Sequence, residues 1–357
     1  SFFNIIYSYY FNLYLNLNTY YFSLIISAVI GIIFYKIKTD SKKPSIFEKI
    51  LTVLLGYFLM PLILSIPFYL SIYNLSFLNS LFEAVSGFTS TGFTVFENIK
   101  HIDQGLILWR SSIQWIGGLY FLFSILLLID LFDENLKRSL TNYISLNSSE
   151  IFKQVFKIIV IYLSMTILIF VLLKLVNLRS YDAYNYSLTI ISSGGFLPNN
   201  NFDTTFTTDI SKIILSISML FSFFSLFFIF NLIFFKKKNI NYLSEDINIL
   251  IYLLVVIVLS FIFFNYDNNF LNVLVSISSS VSNIGISFEK VPKNLVFVFL
   301  LLVILGGSFF STSSGLRVIK VLTLIKFSLN NLLSHSKPNQ IYSNKLSLNK
   351  IGANITD

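Results

Sequence analysis

Three short turns, each centred on glycine and rich in hydroxyl residues, hold the chemistry this chain has to offer. They read Thr89-Ser90-Thr91-Gly92-Phe93-Thr94, Ile191-Ser192-Ser193-Gly194-Gly195-Phe196 and Val281-Ser282-Asn283-Ile284-Gly285-Ile286. None contains a carboxylate, a thiol or an imidazole, so the reactive groups are main-chain carbonyls. Glycine reaches backbone conformations that a Cβ obstructs, which lets successive carbonyls aim at one point. Rings of carbonyls can replace the hydration shell of a cation such as K⁺. Flanking Thr89, Ser90, Thr91, Thr94, Ser192, Ser193, Ser282 and Ser287 can satisfy the backbone groups freed by the turn. Small residues of this kind also serve close helix packing, but three turns at matching places in three modules argue for a shared role.

The modules position the turns. Gly92, Gly194 and Gly285 stand about 100 and about 90 residues apart, which makes each repeat a complete helix-stub-helix unit instead of a solenoid turn. Before each turn lies a stub, 76–88, 181–192 and 269–281, that covers less than about 20 Å at about 1.5 Å per residue and cannot span a bilayer. Around the stubs run apolar stretches at 19–35, 50–72, 104–129, 154–176, 210–235, 247–264 and 294–305 continuing through 316–333, with a marginal apolar and aromatic segment at 1–16. Each of the main stretches approaches the roughly 18 or more residues that cross a ~30 Å hydrocarbon core. Non-helical backbone at membrane depth is tolerated only where it is buried in protein or lines water, so the turns are expected to converge on one axis. A re-entrant helix whose C-terminal end points at that axis aims partial negative charge there, which favours a cation.

Composition agrees. The chain is 55% hydrophobic and 12% charged with a mean hydropathy of +0.76, where soluble domains carry ~25% charged residues. The expected fold class is all-α integral membrane, built of repeated helix, pore-loop, helix modules, three of them in this chain, around a central pore. The absence of Cys excludes disulfides, thiolate metal sites and a Cys nucleophile. The chain opens at Ser1 without a basic n-region, so no cleavable signal peptide is read there and a missing N-terminus is expected. The 40 Phe fit a codon bias toward A and T and receive no functional weight.

Basic residues collect on one side, at Lys36, Lys38, Lys42, Lys43 and Lys49, at Lys137, Arg138, Lys153 and Lys157, at Lys236-Lys237-Lys238 and in the tail from Arg317. By the positive-inside rule these segments are cytoplasmic and the glycine turns dip in from outside. The net charge of +8 is therefore a topology signal, and no nucleic-acid partner is read from it.

At this point the residues resemble a known family, the Trk/Ktr/HKT superfamily of cation transporters, and most closely its TrkH-type potassium uptake membrane subunit. Phe82-Glu83-Ala84-Val85-Ser86-Gly87-Phe88-Thr89-Ser90-Thr91-Gly92-Phe93-Thr94-Val95 looks like the family's first pore helix and filter, and Trp109-Arg110-Ser111-Ser112-Ile113-Gln114-Trp115-Ile116-Gly117-Gly118-Leu119 is similar to the helix that follows. Ser192-Ser193-Gly194-Gly195-Phe196 looks like the second filter. Ile284-Gly285-Ile286 resembles the third, with Asn283-Ile284 in place of the usual Thr-Thr. The resemblance implies a filter made of Thr91, Gly92, Phe93, Ser193, Gly194, Gly195, Ile284, Gly285 and Ile286, with K⁺ held at Gly92, Gly194 and Gly285. Family members with Ser at the first filter glycine favour Na⁺, so Gly92 points to K⁺.

Leu305 through Lys320 interrupts an apolar helix with a run rich in Gly, Ser and Thr. Such a break needs internal hydrogen-bond partners or a wet cavity, or else marks an ordinary helix end before an amphipathic interfacial helix. It resembles the family's intramembrane gate loop, which implies gating roles for Gly306, Gly307, Ser308, Ser311, Thr312, Ser313, Ser314 and Gly315; Phe309-Phe310 replaces smaller residues there. The domain reading is N-terminal transmembrane helices over 1–45, pore repeats over 46–135, 150–240 and 245–335, and a cytoplasmic linker opening at 336–357 near His335-Ser336-Lys337-Pro338. The family's fourth repeat is absent, so the polypeptide is read as a fragment, a truncated product or one piece of a split protein.

Other polar residues carry less. Glu83, expensive in hydrocarbon if ionised, either bonds backbone amides or sits at the wet outer rim. Arg110 and Gln114, one helical turn apart, read as snorkelling or inter-helix groups. Asp103, Asp182, Asp203, Asp209 and Asp267 are outer acids, His101 an outer-loop residue and His335 a tail residue.

The sequence lacks His-Glu-x-x-His, Gly-x-Ser-x-Gly and P-loop patterns, so no enzyme is expected, and the modules run in one topology where another transporter class would show inverted repeats. The expected function is K⁺ passage through a carbonyl filter gated by the loop, in the inner membrane of a bacterium, with K⁺ as transported ion and no organic cofactor. The resemblance implies a homodimer in the lipid bilayer that docks a cytosolic nucleotide-binding regulatory ring. The alternatives are a non-conducting remnant or assembly subunit, and a transporter of Na⁺ or another cation.

Overall fold

Helix follows helix along the chain, because a backbone removed from water must satisfy its own polar groups. The computed structural model describes residues 1–36, 45–128, 151–199, 202–226, 229–230, 250–258, 270–286, 288, 296–308, 310–336, 346–347 and 354–355. In order the helices are α1 (Phe2–Tyr10), α2 (Leu17–Lys36), α3 (Ile46–Leu64), α4 (Ile66–Tyr69), α5 (Phe77–Phe88), α6 (Gln104–Leu127), α7 (Ile151–Leu175), α8 (Ser180–Ile191), α9 (Phe202–Thr205), α10 (Asp209–Phe223), α11 (Phe270–Ser282), α12 (Val296–Ile304) and α13 (Val318–Ser336). Two short strands, β1 (Leu305–Gly306) and β2 (Leu316–Arg317), pair in parallel.

Helix boundaries follow local chemistry. α3 opens with a capping box: the Ser45 hydroxyl accepts from the Glu48 amide at 3.3 Å and Glu48 accepts from the Ser45 amide at 2.8 Å. The reciprocal bonds satisfy two donors that a helix start leaves unpaired. Ser76 caps the stub α5 in the same sense, accepting from Asn79. Residues Leu17–Lys36, Ile46–Tyr69 and Lys153–Leu175 are long and apolar enough to cross a membrane. Exposed Phe22, Ile25, Val29, Ile32 and Ile33 on α2 and Leu54, Leu55 and Phe58 on α3 present the apolar surface a bilayer would cover. α1, at nine residues, covers only about 14 Å and lies with Phe3 and Tyr7 against Tyr184 and Tyr181 of α8. The expected crossings at 210–235 and 247–264 extend into residues outside those described.

The chain divides into two compact units, one of residues 1–128 and 170–207, the other of 129–169 and 208–357. The expected repeats are therefore not the packing units. The expected second repeat is divided between them, with its stub α8 in the first unit and its following helix α10 in the second.

The first unit centres on α6, whose Leu106, Trp109, Arg110, Ile113 and Gln114 are all buried. The chain breaks between α3 and α4, and the Leu64 carbonyl left at the break accepts the Trp109 indole N–H at 3.1 Å. Close approach of α6 to the end of α5 depends on Gly117, where an added Cβ would lie 1.9 Å from the Phe88 carbonyl oxygen. In the second unit α10 packs on α11, and Phe223, Val273, Ile277, Val281, Phe299, Leu302 and Val318 form its core.

Gly117→Ala is expected to destabilise the detergent-solubilised protein by about 1–3 kcal/mol, the usual range for overpacking. Thermal denaturation followed by size-exclusion fluorescence measures it. An unchanged transition would mean that α6 shifts freely away from Phe88.

Candidate functional site

All three stubs end in the same backbone reversal. In α5 the Ser86 carbonyl accepts from Thr91 N at 2.9 Å, in α8 the Thr189 carbonyl accepts from Gly194 N at 2.8 Å, and in α11 the Ser279 carbonyl accepts from Ile284 N at 3.0 Å. One residue before each of these donors the chain turns left-handed, at Ser90 (φ 54°), Ser193 (φ 53°) and Asn283 (φ 59°); one residue after, it does so again at Gly92 (φ 84°), Gly195 (φ 119°) and Gly285 (φ 79°). The second left-handed position is glycine in every copy.

This register moves one expected correspondence. The residue equivalent to Gly92 and Gly285 is Gly195, whereas Gly194 stands in register with Thr91 and Ile284. Gly194 is small for a different reason: an added Cβ would lie 2.2 Å from Gln114 Oε1. The sequence signal for the register is a hydroxyl residue six positions ahead of the glycine, at Ser86, Thr189 and Ser279.

The first two turns face each other within the first unit, for a Cβ added at Gly92 would lie 3.1 Å from the Gly194 carbonyl oxygen. The third turn, with Ile284, Gly285 and Ile286, belongs to the second unit. Its chain is held from within: Ser279 Oγ accepts from Ile286 N at 2.7 Å. In the first turn the equivalent Ser86 hydroxyl donates to the Phe93 carbonyl. One hydroxyl position thus fixes the exit strand of two turns by opposite hydrogen-bond polarity.

Behind the first turn sits a buried ion pair. Arg110 Nε donates to Glu83 Oε1 at 2.8 Å, with the two side chains 1% and 0% exposed. Glu83 Oε2 also accepts from Val95 N at 2.9 Å, and Thr94 Oγ1 lies 3.0 Å from both carboxylate oxygens. Arg110 Nη2 reaches Thr94 Oγ1 at 3.0 Å, and the guanidinium carbon stands 4.2 Å from the ring centre of Phe196 and 5.5 Å from that of Phe96. Gln114, one turn along α6, accepts from Phe196 N at 3.3 Å. The sequence offered rim solvation or amide bonding for Glu83 and snorkelling or inter-helix bonding for Arg110. The structure selects the bonded option for each and joins them.

The loop between β1 and β2 is tied down on two sides inside the second unit. At its base Leu305 and Gly306 pair with Leu316 and Arg317, and Arg317 Nη1 donates to Ser311 Oγ at 2.7 Å and to the Ser313 carbonyl at 3.1 Å. On the α10 side Ser308 N donates to the Phe223 carbonyl at 3.1 Å, Ser313 N to the Ser222 carbonyl at 3.2 Å, and Leu226 N to the Phe310 carbonyl at 3.2 Å. Ser308, Ser311 and Ser313 are buried, as is Phe310, which adopts φ 57°. A bulky residue at positive φ is an outlier in folded chains. Phe309 lies outside the described residues.

No family model matches the chain. Among curated proteins it is 28% identical over 334 residues to an uncharacterized cation transporter of Methanocaldococcus jannaschii, covering 88% of this chain and 67% of that protein. It is 26% identical over 309 residues to the Trk system potassium uptake protein TrkG of Escherichia coli, covering 80% of this chain and 61% of the relative. The crystal structure of the potassium transporter TrkH from Vibrio parahaemolyticus superposes with a TM-score of 0.72 at 21% identity, over 90% of this chain and 69% of that one. The chain spans about three fifths to two thirds of the length of the curated relatives it matches. The resemblance read from the motifs is borne out, and the all-α membrane fold is that of TrkH.

Glu83→Gln is expected to destabilise the protein by about 3–5 kcal/mol, because it leaves the Arg110 charge buried without its partner. Glu83→Gln combined with Arg110→Met should recover part of that loss. Thermal or chemical denaturation of the two variants in detergent tests this, and equal losses would mean that the pair is not coupled.

Proposed function

We propose that this chain, a relative of the Trk-type potassium uptake proteins in sequence and fold, carries K⁺ across a membrane through a filter of backbone carbonyls. The observation that carries the proposal is the common register of the three turns. Each presents carbonyls between two left-handed residues at the C-terminal end of a short helix, where partial negative charge accumulates. The carbonyls around Thr91, Gly92 and Phe93, around Ser193, Gly194 and Gly195, and around Ile284, Gly285 and Ile286 are the proposed K⁺ ligands. A cation entering from outside sheds water as these oxygens replace it, and weak multi-site binding lets it leave again.

The gate is the loop from Gly306 to Gly315. On this reading its hydrogen bonds to the end of α10 and to Arg317 hold the gate shut, and opening requires the loop to leave those partners. The basic segments at 36–49, 137–157, 236–238 and beyond 317 are taken as cytoplasmic, with the turns entering from the opposite face. A homodimer and a nucleotide-binding ring on the basic face complete the proposed assembly. A second reading, a less selective cation transporter, draws on the third turn, where apolar Ile284 stands in register with Thr91 and Gly194.

Growth of a K⁺-uptake-deficient bacterium, with uptake of radiolabelled Rb⁺, tests the proposal on this chain expressed alone and joined to a fourth repeat. Uptake by either form supports conduction. Failure of both, with good membrane expression, overturns it. In a conducting form Gly92→Ser should lower the K⁺ over Na⁺ preference, since a Cβ and hydroxyl crowd the Gly194 carbonyl 3.1 Å away; unchanged permeability ratios would remove the filter assignment. Deleting Gly306 to Gly315 should raise flux, and unaltered conductance would remove the gate assignment.

A further inference from the structure

The loop has a third attachment, and it is to the filter. Asn283 Nδ2 donates to the Ser314 carbonyl at 3.1 Å. Asn283 is the first left-handed residue of the third turn, immediately ahead of the proposed ion ligands, and Ser90 and Ser193 occupy its place in the other two turns. A serine hydroxyl is shorter by one heavy atom and stays local, whereas the asparagine amide reaches across to another segment. Asparagine also tolerates the left-handed conformation better than most residues.

Both ends of this bond are placed by their surroundings. Asn283 N is bonded to the Ser280 carbonyl at 3.2 Å and the next residue to Ser279, so the turn fixes where the amide starts. Ser314 O is wedged against the base of the loop, where an added Cβ on Gly306 would come within 2.4 Å of it. The next residue, Gly315, has φ 93°, a conformation from which glycine can depart at little steric cost. A displacement of Ser314 large enough to open the loop breaks the bond to Asn283, because a hydrogen bond weakens steeply beyond its normal distance and angle.

We propose that Asn283 is a positioning residue that couples the gate loop to the third filter turn, so that loop position sets filter geometry and ion preference changes when the gate opens. The inference rests on the ion-pathway reading above. With the loop seated, Asn283 is held and Ile284 and Gly285 keep their present backbone. When the loop leaves, the amide is released and the turn loses its only side-chain bond to the loop among the described residues.

The test uses a conducting form of the chain in liposomes, comparing Rb⁺ and Na⁺ flux for the unaltered protein and for Asn283→Ser, which installs the residue found in the sister turns. Losing one such hydrogen bond is expected to shift the loop equilibrium roughly two- to tenfold toward open. Rb⁺ flux should rise by that factor, and the Rb⁺/Na⁺ ratio should change with it. Equal flux and ratio overturn the coupling; a flux change at constant ratio overturns it as well, since Asn283 would then brace the loop alone.

Because the chain contains no Cys, Asn283→Cys with Ser314→Cys gives a second measurement should the serine variant fold poorly. Cross-linking should lower Rb⁺ flux and restore it on reduction, with the ratio moving in step, and a cross-linked protein of unchanged flux and ratio overturns the proposal. Failure of the unaltered protein to conduct would instead count against the pathway itself.

Discussion

The Glu83–Arg110 pair is the interaction on which the first half of the site depends. Two charges removed from water each carry a desolvation cost of several kcal/mol, which their mutual attraction offsets only when the remaining hydrogen-bonding capacity is also used. Here it is largely used. Glu83 takes the Val95 amide and the Thr94 hydroxyl as well as Arg110, and the guanidinium lies over Phe196. The carboxylate sits on the stub before the first turn, Thr94 and Val95 on the chain leaving it, Arg110 on the next helix, and Phe196 in the second turn. A single pair thus ties both limbs of one turn to the next helix and to Phe196 of another turn. Its contribution is geometric more than energetic, because an apolar pair of similar volume could be equally stable without offering the turn a donor and an acceptor.

How much of this was legible in the sequence follows from which interactions are local. The stubs, the turns and the broken helix at 305–317 all stand where apolar length and Gly-Ser-Thr clustering placed them, because those features are set within a dozen residues. The register of the second glycine is not legible in the sequence, since Gly194-Gly195 offers two candidates and only backbone torsion separates them. One glycine avoids Gln114 and the other adopts φ 119°. The pairing of Glu83 with Arg110 joins residues 27 positions apart on different helices, and no spacing rule for one helix could reveal it. The division into two units was hidden for the same reason: repeats are read along the chain, and packing is not.

The hydroxyl at Ser86 and Ser279 illustrates how similar turns can differ in chemistry without differing in shape. A serine can donate or accept. In the first turn it donates to the Phe93 carbonyl, occupying one lone pair of that oxygen, and in the third it accepts from Ile286 N instead. Three turns with one backbone course need not offer equal numbers of free carbonyl lone pairs.

The loop also answers a question posed by α10. A helix leaves its last carbonyls without intrahelical partners, and where water is excluded other donors must be found. α10 ends at Phe223, and the carbonyls of Ser222 and Phe223 accept from Ser313 and Ser308 of the loop, while Leu226 donates back to Phe310. The loop is the C-terminal cap of α10. Withdrawing it strips those carbonyls of donors, at a cost of about 1–3 kcal/mol for each polar group left buried and unpaired, unless water follows. If the loop serves as the proposed gate, its departure and the hydration of those carbonyls are then a single event.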